Sequence, residues 1–195
     1  MRRRPTSYLL LLVLPAALLV GCSASNNSDF PAADPHANHM MEDSEGSGFG
    51  AAEIMFAQMM IPHHQQAVEM AELVPRRSEN PEILQLAKDI AAEQEPEIQQ
   101  MQRWLDEAGA PSHMDHDMNM AGMLSEEELE QLANSSGDEF DRLFLEGMIK
   151  HHEGAIEMAK MILDSENEEA KALAEAIVSS QTAEIELMKE LLANY

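Results

Sequence analysis

The chain carries the same stretch twice, and that duplication constrains its fold more than any other feature. Residues 55–71, MFAQMMIPHHQQAVEMA, align with residues 143–159, LFLEGMIKHHEGAIEMA, keeping the Phe, Met-Ile, His-His, Ala, Glu and Met-Ala positions at an offset of 88. A second segment follows each copy. Ile90, Gln94, Glu97, Ile98, Met101 and Leu105 recur as Ile177, Gln181, Glu184, Ile185, Met188 and Leu192 at an offset of 87. Two copies of a helical hairpin are too few for a solenoid but enough to close a four-helix bundle. The expectation is an all-α protein made of two duplicated antiparallel hairpins, the first over 49–109 and the second over 125–195. Aromatic residues are only 4% of the chain, so Ala, Leu and 16 Met must fill the core.

Boundary signals agree with long helices. The first is expected from about residue 50 to Val74, stopped by Pro75; the second opens at Asn80-Pro81 and stops at Gly109. Ser125 with Glu128 reads as a capping box for a short helix, Asp138 as the cap of the third long helix, and Ser165 with Glu168 as the box opening the fourth. Pro62 and Pro96, inside the patterns, should kink or open the first two helices.

The apolar seams place chemistry in the core. Steps of four and three run through Phe56, Met60, His63, Ala67, Met70 and Val74, and again through Phe144, Met148, His151, Ala155, Met158 and Ile162. The partner helices read Ile83, Ala87, Ile90, Gln94, Glu97, Met101, Trp104 and Ala170, Ala174, Ile177, Gln181, Glu184, Met188, Leu191. His63 and Gln94 both lie roughly 18–20 Å from their hairpin turn at 1.5 Å rise per residue, so they meet at one level. One central layer should therefore hold His63, Gln94, Glu97, His151, Gln181 and Glu184. Met60, Met70, Met101, Met148, Met158 and Met188 should stand close by. His64 and His152 fall at the seam's edge, as ligands towards the rim or as solvated residues.

Such a layer is costly unless its members bond each other or a metal. Taken alone it fits a hydrogen-bonded register device equally well. The segment between the hairpins, 110–124, favours metal: His113, Met114, His116, Met118, Met120 and Met123 sit there among two Asp and an Asn, without helical period. Core filling does not explain exposed methionines in an acidic loop. All eight histidines fall into close pairs near methionine, the remaining pair being His36 and His39. Thioether with imidazole selects Cu(I) or Ag(I), and imidazole with carboxylate selects Cu(II); zinc gains little from methionine.

The N-terminus reads as an export signal. Arg2 to Arg4 precede an apolar run from Leu9 to Val20, too short for a comfortable membrane span, and Leu19-Val20-Gly21-Cys22 resembles a bacterial lipobox. The expectation is a signal peptide over 1–21, lipidation at Cys22, and a flexible tether over 22–48 that holds the domain to the cell envelope. Cys22 is the only cysteine, so after lipidation any soft ligand must be methionine. Loss of the signal leaves nine basic residues against 36 acidic ones, which excludes nucleic acid as a partner and attracts cations.

The two copies of M-I-x-H-H-x-x-A-x-E-M-A, each followed by I-x-x-x-Q-x-x-E-I-x-x-M, resemble the DUF305 family of exported bacterial proteins over about residues 50 to 195. The resemblance implies a ferritin-like four-helix bundle and an association with copper binding and copper resistance in the periplasm. Carried over by position, it points to His63, His64, Met70, Gln94, Glu97 and Met101, and to His151, His152, Met158, Gln181, Glu184 and Met188. The expected function is lipid-anchored buffering or passing of copper, with silver or zinc as other ions and a copper-transport or copper-oxidase protein as partner. No catalytic group is required. Two alternatives stand beside it: a metal-free envelope interaction module, and a ferritin-like dinuclear oxidase, although the Glu-x-x-His that such a centre uses occurs nowhere in the chain.

Overall fold

A computed structural model describes residues 48–112 and 120–195. The signal segment, Cys22, the tether to residue 47, and His113, Met114, His116 and Met118 lie outside them. Among the described residues five α-helices form: α1 (Ala51–Arg77), α2 (Pro81–Ala108), α3 (Glu126–Asn134), α4 (Asp138–Ala159) and α5 (Glu168–Leu192), with a 3-10 turn at Lys160–Ile162 after α4. No strand occurs among the described residues, and none of their helices is long and apolar enough to cross a membrane.

α1 packs along α2 and α4 along α5 as two hairpins, and α1 lies against α4 to join them. α3 rests on α4. Across the bundle, Glu169 Oε1 accepts from Trp104 Nε1 and from Gln100 Nε2, each at 3.0 Å, tying α5 to α2. The duplication survives at the ends of the bundle. Glu53 Oε1 accepts from Ser165 Oγ at 2.6 Å, and at the equivalent position Asp141 Oδ2 accepts from the Tyr195 hydroxyl at 2.8 Å.

Several boundaries differ from the expectation. α1 does not stop before Pro75 but carries it in its last turn, ending at Arg77. A proline there forfeits a single backbone bond near a terminus whose carbonyls are partly orphaned anyway. The helical pattern also continues through Pro62 and Pro96, where tertiary packing outweighs the missing donors. Asp138 is the first residue of α4 rather than its cap; Gly137, at φ 61°, takes the cap position. Asn167, not Ser165, caps α5, its Oδ1 accepting from the backbone of Glu169 and Ala170, while Ser165 stands further out, donating to Glu53 and accepting from Asn167 N. The Ser125 and Glu128 capping box forms as expected.

The core is in two parts. One contains Phe56, Met60, Met101, Trp104 and Met158; the other contains Met70, Ile83, Phe140, Phe144, Met148 and Met188. Along α1 the first part ends at Ile61 and the second begins at Ala67; along α4 they are separated by residues 149–154. The gaps in α2 and α5 contain Gln94 and Glu97, and Gln181 and Glu184. A polar layer thus divides the bundle at mid-height, with four buried methionines on one side and three on the other.

Candidate metal centre

His63, His64, His151 and His152 are fully buried in this layer, and Gln94 and Gln181 are nearly so. The solvated alternative for His64 and His152 is therefore wrong. Each is drawn inward by a carboxylate on the neighbouring helix. His64 Nε2 lies 2.8 Å from Glu97 Oε2, and His152 Nε2 lies 2.7 Å from Glu184 Oε2. The two glutamates are the wetter members, with side chains 15% and 12% exposed. Between these pairs, the rings of His63 and His151 stand with centroids 3.7 Å apart and planes inclined by 39°.

The segment 120–124 completes the layer. Ala121 O accepts from His63 Nε2 at 3.1 Å. Its end is held by Gln66, which donates to Leu124 O at 3.0 Å and accepts from Leu124 N at 2.8 Å. On the other side of the linker, Gln58 Nε2 donates to Pro111 O at 2.8 Å. Met120 packs partly buried on the cluster of Met60, Met101 and Met158, and Met123 is also half-buried, so neither is the exposed methionine that the loop composition suggested.

Hydrogen bonding fixes the imidazole protons. Carbonyl and carboxylate oxygens only accept, so the Nε2 atoms of His63, His64 and His152 are donors, and in the neutral ring each Nδ1 carries a lone pair. None of those three Nδ1 atoms has a partner, and neither nitrogen of His151 has one. Both polar atoms of the Gln94 amide, Gln181 Oε1 and Glu184 Oε1 are equally bare. Among the described residues, every buried side-chain polar atom without a partner belongs to this layer except Asp141 Oδ1. Buried polar atoms are normally satisfied, so this concentration is informative.

Burial also sets protonation. Desolvation, with repulsion from His64 and His152, lowers His63 to about 3 against the Ala121 bond that favours its charge. Desolvation first, then the other three histidines, holds His151 well below the ordinary imidazole range against a weaker favourable approach of the His63 backbone. Both are neutral at physiological pH and need lose no proton to bind a cation. At the layer's outer edge, burial and then the charges of Glu184 and Glu97 raise Glu93.

The donor set fits a soft or borderline ion. Neutral imidazole nitrogens braced by carboxylate or carbonyl acceptors are how proteins orient metal-binding histidines, and thioethers lie above and below. It does not fit a preassembled hard-ion centre. Among the described residues no three His, Cys, Asp or Glu side chains converge on a single metal position. An open hollow of about 870 Å³ lies elsewhere, lined by Pro75 to Glu82, Gly137, Asp141 and Tyr195 at one end of the bundle.

Sequence reasoning found the His, Gln, Glu and Met positions of the layer but missed Ala121, Gly122, Gly154 and Gln66. A signal existed: Gly154 is a glycine inside a helix, at the position where the first copy has Gln66.

A duplicated four-helix bundle divided by a buried His-Glu layer defines the class of protein. The chain belongs to the DUF305 family, a domain of unknown function, whose model matches residues 53–192. A DUF305 protein of Streptomyces coelicolor is 36% identical in a structural match covering 73% of this chain and 93% of that one, with a TM-score of 0.70. CopM in its Cu(I)-bound form is 35% identical over 73% of this chain and 96% of CopM, TM-score 0.62, and its Cu(II)-bound form gives 0.64. CopM has also been solved with silver bound. A protein of Acanthamoeba polyphaga mimivirus is 46% identical over 48 residues, a match spanning 25% of this chain and 32% of the viral protein.

Proposed function

We propose that this protein is a lipid-anchored, exported copper-binding protein that buffers copper or passes it on, without catalysing a reaction. The observation that carries this reading is the dry layer in which four imidazoles offer unpartnered nitrogens between two clusters of buried methionines. His63, His64, His151 and His152 would supply nitrogen donors, and Met60, Met70, Met101, Met148, Met158 and Met188 the soft donors. Glu97 and Glu184 would orient His64 and His152 from behind and, as the exposed members, mark the side from which a cation arrives. The Cu(I), Cu(II) and silver forms of CopM support the choice of ion.

The same geometry supports cargo over catalysis. A dinuclear oxidase would need several carboxylates and histidines converging, and the described residues hold no such group. A metal-free interaction module would leave the layer's bare nitrogens and amides as uncompensated cost. The lipobox-like Cys22 and the expected tether over 22–48 support a location outside the cytoplasm, where thiols tend to form disulfides and thioethers remain as soft donors. The linker residues His113, Met114, His116 and Met118 would supply further soft donors as a collecting segment.

Anaerobic Cu(I) titration against a competing chelator tests the reading, with the chain from Ser23 onward compared to a variant carrying Ala at His63, His64, His151 and His152 and to one lacking 113–119. Binding tighter than about micromolar that is lost in the histidine variant is the expected result. Failure to compete for Cu(I), Cu(II) or Zn(II) would contradict it.

A further inference from the structure

The two copies of the hairpin part company at one place, and the linker exploits it on both sides. Where the first copy has Gln66, the second has Gly154. Gln66 grips Leu124 through both its backbone groups, whereas Gly154 makes room for the residues just before it. A Cβ on Gly154 would lie 2.0 Å from Ala121 O and 2.9 Å from Gly122 Cα. Gly122 is itself in the left-handed region at φ 87°, and a Cβ there would meet Lys150 O at 2.6 Å and His151 O at 3.0 Å. Backbone rides directly on backbone at the level of the histidines. Only glycine at both positions permits that approach.

The approach has a chemical consequence. It brings the Ala121 carbonyl to His63 Nε2, an acceptor that no side chain provides, while both nitrogens of the stacked His151 stay without partners. A duplicated sequence has become an asymmetric pair of histidines. We propose that Gly154 and Gly122 are positioning residues that seat the Ala121 carbonyl on His63, so that His63 presents Nδ1 alone to a bound metal, a constraint that His151, without that carbonyl, does not share. This rests on the metal-binding reading above, and extends it by assigning the ligating atom and the residues that select it.

Long-range 1H–15N NMR of the imidazoles in the metal-free protein is the test, followed by Cu(I) titration. In the unmodified chain His63 should show a pyrrole-type Nε2 and a pyridine-type Nδ1. Gly154→Ala, with its helical content checked by circular dichroism, should move His63 towards a mixture of tautomers and weaken Cu(I) binding about 10-fold or more, the scale seen when an outer partner of a ligating histidine is lost. Ala121→Gly keeps the carbonyl and should leave the tautomer unchanged. A His63 protonated on Nδ1 in the unmodified chain would overturn the proposal even if Gly154→Ala fails to fold. So would a folded Gly154→Ala with an unchanged His63 spectrum. The metal-free spectrum and the copper titration fail separately, so loss of copper binding altogether would strike the functional reading and not the loop's hold on His63.

Discussion

His63 and His151, 88 residues apart in the chain, face each other at 3.7 Å between ring centroids in the dry middle of the bundle. Two neutral imidazoles so placed, without a carboxylate between them, cost stability that only a cation or another donor can return.

That cost has a sign in pH. The folded protein holds His63 at about 3 and His151 well below 6.5, whereas the unfolded chain protonates both near 6.5. The stability associated with the two rings is fully present above pH 6.5 and declines as pH falls towards 3, because the unfolded state takes up the protons first. Urea midpoints should fall between pH 7 and pH 4.5, and by less in a variant with His63→Leu and His151→Leu. Equal pH dependence in both proteins would refute the assignment.

Gln94 is nearly closed to solvent and neither of its amide atoms has a partner. Gln94→Leu should stabilise the metal-free protein by about 1 kcal/mol. For a domain of this size that raises Tm by roughly 2–4 °C. A fall in Tm would mean that the amide is satisfied in solution.

Glu97→Gln and Glu184→Gln keep shape while weakening the acceptors behind His64 and His152. Each should reduce Cu(I) affinity about 10–100-fold in chelator competition while the circular dichroism spectrum stays unchanged. An unaltered affinity would remove the outer histidines from the site.

The layer itself was legible in the sequence because helical period and a fixed offset between copies determine which positions face inward and at what height. Phe56, Met60, His63, Met70 and their counterparts all proved buried for that reason. His64 and His152 were ambiguous, since a position about 100° round the helix from the seam is buried or wet depending on what the next helix supplies, here Glu97 and Glu184. The loop contacts were invisible. Period says nothing about a non-helical segment, and the glycine at position 154 signals a close approach without naming Ala121 as what approaches. Helix ends were misjudged where two capping residue types stand close together, as at Ser165 and Asn167, of which Asn167 is the cap.

Gln66 tests the loop's anchorage apart from the metal. Gln66→Ala removes two buried bonds to Leu124 and should cost about 2 kcal/mol, read as a lower urea midpoint. An unchanged midpoint would show that the 120–124 segment is not held in solution.

Copper K-edge absorption spectroscopy of the Cu(I)-loaded protein, run beside the His63→Ala, His151→Ala variant, tests the central claim most directly. Imidazole nitrogen together with thioether sulfur around copper, with the imidazole signal reduced in the variant to what His64 and His152 supply, is the predicted result. Identical spectra from the two proteins would place the copper outside the buried layer and contradict the account.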